Sequence, residues 1–474
     1  MSFSSVSFFV FMIAVFLVYW GIPHKFRYYF LAAANIMFYA SFGAESLTVL
    51  ICIVTAAYAL ALFIEKKSKI ILVLALTALA MPLLIFKYLN FVFYSVSKVL
   101  GKLSLPMDEH TVKLLAPIGI SFFTFELISY VVDVYKGKIN AEKDPIKLFV
   151  FAGFFANITS GPIERAGSFI PQIDSEKAFD YDRTVYGLRL VLLGMVKKIC
   201  GADVLKQYVD AVFGNVYAYK GPAFIVATVL YTYEIYLDFS GYTDMARGFA
   251  KMLGFDLSEN FSAPYLSNGV KEFFGRWHIS LSQWLRDYIY IPLGGSRCSK
   301  LRKYINLMIT MFVSGLWHGA SFTFIVWGLL HGVYQVVADG LSVVFKGKKP
   351  AKGIRIIYTF ALVSFAWMFF RVNSLSEAKY IVLNMVKGDN FYGQMLQMGF
   401  LNVSAYISVV LIIGLTVCYD LVSERLAKSG LSIIDKLGEM KMPLRWGIYV
   451  IASVLVVVLR SHVGAGADFI YFMF

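Results

Sequence analysis

Apolar and polar positions along this chain alternate in long blocks rather than residue by residue. Apolar runs fall at 6–20, 29–39, 47–64, 70–86, 89–100, 114–135 and 148–158, then at 186–196, 224–239, 306–332, 356–370, 405–419 and 448–459. Runs of near-spanning length can satisfy their backbone in lipid only as helices or as a closed barrel. Continuous rather than alternating apolar sequence excludes the barrel. The pattern therefore predicts an all-α, polytopic integral membrane protein with roughly eleven to fourteen membrane segments, some of them re-entrant. The first run has no basic n-region and no small-residue cleavage site, so it is expected to stay as a helix.

Polar blocks punctuate these runs. EKKSK (65–69) and KGKKPAKGIR (346–355) read as cytoplasmic, because Lys and Arg collect on that side. Residues 101–113 form a polar link, and Pro117 and Gly119 are expected to interrupt the start of the 114–135 run. TSGPIERAGSFIPQI (159–173) is too polar to face lipid and predicts a re-entrant or interfacial loop. Residues 261–303 mix Trp277, Trp284, Tyr288 and Tyr290 with Arg276, Arg286, Arg297, Lys300, Arg302 and Lys303. That mixture predicts short amphipathic helices at the cytoplasmic interface. The blocks divide the chain into N-terminal helices (1–113), a central core (114–340) and C-terminal helices with an aromatic tail (341–474).

The stretch 306–332, NLMITMFVSGLWHGASFTFIVWGLLHG, holds a histidine, His318, between two apolar arms. A helix from Tyr304 to Trp317 rises only about 20 Å, against a hydrocarbon core of about 30 Å. If Arg302 and Lys303 mark one face, His318 stops inside the bilayer, where an ionisable group is costly and usually functional. Gly315 and Gly319 flank it and permit close approach. His278, in the aromatic-basic segment, can fold back on the same cavity. His331 reads as packing, and His24, His110 and His462 as loop or interface residues. Glu234 and Asp238 are four apart and share a helical face. They can orient a histidine, pair with Arg247, or line a water-filled cavity.

Composition agrees with the block pattern. Of 474 residues, 59% are hydrophobic and 16% charged, with mean hydropathy +0.68; a soluble chain carries about a quarter charged residues. The net charge of +14 reads as basic membrane loops, not as a nucleic-acid surface. Cys52, Cys200, Cys298 and Cys418 are scattered without CxxC, so neither a disulfide framework nor a metal site is predicted. GxSxG, GxxxxGK[ST] and HExxH patterns are absent, leaving serine hydrolase, ATP-driven pump and zinc protease unsupported.

Several blocks resemble the membrane-bound O-acyltransferase (MBOAT) family. They are PIGISFFTFELISYVVDVYKG (117–137), SGPIERAGSF (160–169), YEIYLDFSGYTDMARGFAKMLGF (233–255), RWHISLSQWLRDYIYIPLGGSR (276–297) and GLWHGASFTFIVWGLLHG (315–332). LRDYIYIPLGG and WMFFRVNSLSEAKYI (367–381) favour the branch of bacterial alginate O-acetylase-type polysaccharide acetylases. The lipoteichoic acid D-alanyl transferase is a relative. The resemblance implies a ring of tilted helices around a funnel or tunnel, and acyl transfer from a cytoplasmic thioester to a hydroxyl. His318 matches the family's invariant histidine and His278 its second one. His318 would act as general base, and His278 would orient the donor or stabilise an oxyanion. Trp317, Glu234 and Asp238 would support them, while Arg276, Arg286 and Lys300 would receive donor phosphates or, equally, bind the membrane surface. The tail DFIYFMF (468–474) is similar to an aromatic motif whose tyrosine, here Tyr471, is proposed to carry the acyl group; an interface anchor is the plainer reading.

The expected donor is acetyl-CoA, with an acylated carrier protein as the alternative, and no bound cofactor or metal is expected. Expected partners are membrane lipids and an envelope polysaccharide, reached through an extracytoplasmic SGNH-type acetyltransferase, and the expected location is the bacterial cytoplasmic (inner) membrane. Two competing functions stand beside this one. One is D-alanyl transfer to teichoic acid. The other is a proton-coupled transporter or flippase using His318, Glu234 and Asp238 as a relay, a reading weakened by the lack of a visible internal repeat.

Overall fold

The computed structural model describes residues 1, 3, 5–64, 68–102, 116–344, 350–388, 390–463 and 470. Tyr471, His110, most of the 101–113 link and residues 345–349 of the basic loop lie outside the described residues. Among the described residues the regular structure is helical, apart from one isolated antiparallel β-bridge between Phe261 and Trp277. Six helices are long and apolar enough to cross a bilayer: Ala44–Ile64, Lys69–Gly101, Phe322–Ser342, Lys352–Arg371, Val403–Ala427 and Met442–Ser461. The helix Val6–Gly21 is apolar but shorter. The protein is thus a multi-pass, all-α membrane protein. Other segments counted from the sequence are shorter, or carry buried charge, as the 31-residue Pro222–Met252 helix does.

Two expected runs, 70–86 and 89–100, form one continuous helical rod. Pro82 lies inside it, followed at Leu84–Tyr88 by a π-helical turn. Proline offers no N–H to the helix ladder, and a π turn absorbs the mismatch without ending the helix.

The chain divides into two compact units, Met1–Leu188 with Ala246–Ser258, and Arg189–Met245 with Glu259–Phe474. In the first, Gly119 starts the helix Ile120–Tyr135 from a left-handed conformation, φ 72°. A β-carbon there would fall on the carbonyl oxygen of Ile158. The SGPIER loop is buried through Ser160–Glu164 without regular helix. Irregular backbone at depth needs partners inside the protein, and two carboxylates supply them. Glu126 Oε1 accepts from the Glu164 N–H at 2.9 Å and Asn157 Nδ2 at 3.1 Å. Glu164 in turn accepts from the Ser258 N–H and hydroxyl at 2.6 and 3.2 Å.

The second unit holds the stretch around His318 as a helical hairpin. Its arms are Lys300–His318 (19 residues) and Phe322–Val344 (23 residues), so they are full helices and not short dips. The arms touch through glycine. A β-carbon on Gly315 would meet the Phe324 carbonyl, and one on Gly328 the Met311 carbonyl. Small residues permit such backbone approach in lipid, where packing rather than hydrophobicity drives association. His318 closes its arm about 23 Å along the helix from Lys303, short of the full hydrocarbon thickness.

Replacing Gly315 or Gly328 by Ala should overpack this seam, at a cost of about 1–3 kcal/mol. Each variant is expected to unfold at a lower Tm in detergent, whereas Gly340→Ala, on the same second arm with open space around it, should leave Tm unchanged. Equal Tm for all three would show that the glycines do not set the spacing.

Candidate active site

The hairpin tip places His318 among rings. It is 4% exposed, with ring centroids of Trp317, Trp327 and Phe370 at 5.0, 4.9 and 5.0 Å. Trp317 also meets His278, at 5.6 Å between ring centroids, so the indole contacts both imidazoles. His278 also abuts Phe239 at 4.8 Å and is 2% exposed. The two histidines and Trp317 singled out from sequence therefore converge. His331 packs against Trp327 and Phe274, at 4.9 and 5.0 Å, as a buried core residue.

His278 has an unusual backbone, φ 41° and ψ 56°, at the start of the helix Ile279–Leu285. A left-handed conformation is strained for a residue with a β-carbon and must be held by its surroundings. Asn260 holds it. The Asn260 carbonyl accepts from the Ile279 N–H at 3.1 Å, and its side-chain oxygen accepts from the Ser280 N–H and hydroxyl at 3.2 and 2.7 Å. Trp277, expected at the membrane interface, is instead 1% exposed and packs on Phe273 and Trp367 at 5.6 and 4.9 Å. Trp284 is buried as well. Aromatic rings in this segment fill the core because the short helices fold inward around Asn260. Burial pushes the His278 imidazole down to about 3, so it is neutral at physiological pH and can offer an N–H but not a positive charge.

Glu234 and Asp238 share a helical face, yet they serve different neighbours. Asp238, 1% exposed, accepts from Lys198 Nζ at 2.7 Å, and Lys198 also pairs with Asp203 at 2.8 Å. The other Asp238 oxygen accepts from the Ile470 N–H at 2.8 Å. Lys198 projects from a π-helical segment, Val196–Ala202. Glu234 lines a cavity of about 380 Å³ with Tyr231, Ser321, Thr323, Phe370 and Arg371. Ser321 lies in the turn just after His318 and Thr323 in the first turn of the returning helix, and Phe370 touches the His318 ring. Arg276 is committed to Glu272 and Glu424 at 2.8 and 3.2 Å, and Arg286 to Asp287 at 2.9 Å with its side chain 60% exposed. Neither arginine lines the cavity.

Comparison with known proteins follows this geometry. The sequence model of the membrane-bound O-acyltransferase family matches residues 141–376, which include His278, Trp317 and His318. The probable alginate O-acetylase of Pseudomonas aeruginosa is 36% identical over 80% of this chain and 73% of its own length. The chain belongs to the membrane-bound O-acyltransferase family. It is an O-acyltransferase, which sets the transporter reading aside. The peptidoglycan O-acetyltransferase of Helicobacter pylori is 32% identical over 75% of this chain and 73% of that protein. The teichoic acid D-alanyltransferase of Bacillus subtilis is 30% identical over 50% of this chain and 62% of that protein.

Asn260, Lys198, Asp203 and Arg371 were not singled out from the acyltransferase's sequence. One signal was present: Lys197 and Lys198 close an apolar run, where a charge demands a partner. Asn260 gave no signal, because its role depends on a backbone turn eighteen residues away.

His278→Gly should unfold at a higher Tm than His278→Ala, since Ala retains a left-handed penalty of about 1–2 kcal/mol that Gly lacks; the reverse order would contradict the strain. The pH dependence has a defined sign. The unfolded imidazole takes up a proton near pH 6.5, while the folded one does so only at about 3. Stability is therefore lost as pH falls through that window, by up to about 1.4 kcal/mol per pH unit. The Tm of wild type is expected to fall more steeply than that of His278→Gln between these limits.

Proposed function

We propose that this enzyme moves an acetyl group from a cytoplasmic thioester, acetyl-CoA, to a hydroxyl destined for a cell-envelope polysaccharide, in the bacterial cytoplasmic membrane. The observation that carries the reading is the position of His318. It ends a helix that starts at a basic face, shares the Trp317 ring as a neighbour with His278, and borders the cavity through Phe370. The relatives that match most of the chain are named as O-acetylases and O-acetyltransferases, which favours acetyl over D-alanyl. An acylated carrier protein is the donor in the competing reading, supported by the relative of narrower coverage.

In the proposed reaction, His318 takes the proton of the acceptor hydroxyl as its oxygen attacks the thioester carbonyl. Collapse of the tetrahedral intermediate breaks the C–S bond, and the departing thiolate recovers the proton from the imidazolium. Neutral His278 offers an N–H toward the developing oxyanion. The surrounding rings of Trp317, Trp327 and Phe370 exclude water and so protect the thioester from hydrolysis. Asp238, with Lys198 and Asp203, fixes the helix that carries Glu234. Tyr471 is a second acceptor hydroxyl in this scheme, supported by Ile470, which lines the cavity and is tied to Asp238. An extracytoplasmic SGNH-type acetyltransferase would complete delivery to the polymer.

His318→Ala, purified and confirmed folded by its Tm, is expected to lose about 100-fold or more of acyl transfer from labelled acetyl-CoA. Normal turnover would end the assignment of His318 as base. Intact-protein mass after exposure to donor should show an acetyl adduct that Tyr471→Phe abolishes, if the tail is acylated; an unshifted wild-type mass would remove the tail from the pathway.

A further inference from the structure

A second cavity opens between the two arms of the hairpin, at the end remote from its tip. Its volume is about 290 Å³. Tyr304, Ile305, Met308 and Ile309 line it from the first arm, and Val333 and Val336 from the second. Ile305, Ile309 and Val333 are exposed, so the space is a groove that opens outward. Its walls are hydrocarbon apart from the Tyr304 hydroxyl, which donates to Asp339 at 3.2 Å. Behind the groove the arms meet at Gly332, where a β-carbon would fall against Met308 Sδ. In a bilayer the medium that meets such a face is acyl chain, as apolar as the leucines and valines it touches.

Charge at one end narrows the occupant. Leu301, one turn before Ile305, heads the groove and is exposed. Successive helical residues are about 100° apart, so Lys300 and Arg302 project to either side of Leu301. Both are exposed, and neither has an ion-pair partner among the described residues. Lys300 Nζ lies over the Tyr304 ring at 6.0 Å, which puts the ammonium at the rim of the groove. Lys303 lies over the same ring at 5.5 Å but is paired with Asp339 at 2.6 Å. Asp339 thus neutralises Lys303 and leaves the mouth positive through Lys300 and Arg302.

Length and side agree with this chemistry. From Lys300 to Ile309 the helix rises about 14 Å, close to half of a hydrocarbon thickness of about 30 Å. The groove is therefore about one leaflet long. Basic sequence flanks the hairpin at both outer ends, RCSKLRK (297–303) and KGKK (346–349), which assigns the mouth to the cytoplasmic leaflet. Anionic lipids of that leaflet attract juxtamembrane cations, whereas a zwitterionic headgroup brings a cation of its own. A second copy of the chain, docked on this face about a two-fold axis, would set its Lys300 and Arg302 against the same charges.

We propose that the groove between the arms binds one anionic phospholipid of the cytoplasmic leaflet. An acyl chain lies along Ile305, Met308, Ile309 and Val333, and the phosphate sits between Lys300 and Arg302. The lipid bridges both arms at the end remote from His318 and so holds the hairpin at a fixed depth. This binding does not depend on which acyl group the enzyme transfers.

The experiment uses the full-length protein in detergent, with phosphatidylglycerol and phosphatidylcholine of identical chains as probes, read by native mass spectrometry and by lipid-induced thermal shift. Phosphatidylglycerol is expected to bind at least tenfold more tightly than phosphatidylcholine, and added salt should shrink that preference. Lys300→Gln and Arg302→Gln should each weaken phosphatidylglycerol binding about fivefold, and the double substitution should abolish the preference while leaving phosphatidylcholine unchanged. Ile309→Trp, which fills the groove, should weaken both lipids. Lys428→Gln, an exposed cation on another helix, should change neither. The Tm of each variant without lipid confirms that it is folded. Equal affinity of wild type for the two lipids, a preference that survives the double substitution, or the same loss in Lys428→Gln would overturn the proposal in favour of an unspecific lipid annulus. Equally tight binding of glycerol phosphate, which has the headgroup but no chains, would overturn it in favour of a free-anion site. A wild-type dimer that Ile309→Trp dissolves, with no preference between lipids, would overturn it in favour of a second copy.

Discussion

Two missing β-carbons, at Gly315 and Gly328, set the spacing on which the active region depends. Between lipid-exposed helices there is no hydrophobic gain in pairing, so backbone contact has to come from shape. Carbonyls of Phe324 and Met311 occupy the space where those β-carbons would stand. The resulting hairpin brings Trp327, on the returning arm, to within 4.9 Å of the His318 ring. A wider seam would move the imidazole relative to Phe370 and to the cavity, because both belong to other helices.

Charge is the second constraint. Lys198, Asp203 and Asp238 are all buried, and isolated charges in that setting would be prohibitively costly. Packed as one lysine between two carboxylates, they tie the π-helical segment Val196–Ala202 to the long Pro222–Met252 helix. The remaining Asp238 oxygen takes the Ile470 amide, and Ile470 lines the cavity wall. In the other unit, Glu126 and Glu164 do comparable work with neutral donors, replacing water around the SGPIER backbone. Buried polar groups here fix one arrangement of helices that apolar packing alone would leave degenerate.

The two histidines reach the site by different physics. His318 is carried by a regular helix, and its distance from Lys303 along that helix follows from counting residues. His278 sits in a strained turn, which Asn260 and the bridge between Phe261 and Trp277 help to hold. Strain of this kind is characteristic of functional positions. Desolvation keeps its ring neutral, which suits a hydrogen-bond donor in a dry site better than a cation.

Much of this architecture was legible beforehand. Block hydropathy defined a helical membrane protein, and the break after His318 marked the end of the first hairpin arm. Pro117 and Gly119 marked where the Ile120–Tyr135 helix begins, and the polarity of SGPIER required burial away from lipid. These follow from local rules: helix rise, backbone satisfaction and the cost of charge in hydrocarbon. Tertiary structure alone decided that Asp238 faces Lys198 while Glu234, one turn earlier, faces a cavity, and that Arg276 is neutralised by Glu424. It alone joined the two runs through the π-helical turn Leu84–Tyr88 into one rod and turned Trp277 inward. Those outcomes depend on which distant segments meet, and hydropathy and spacing describe each segment without its neighbours.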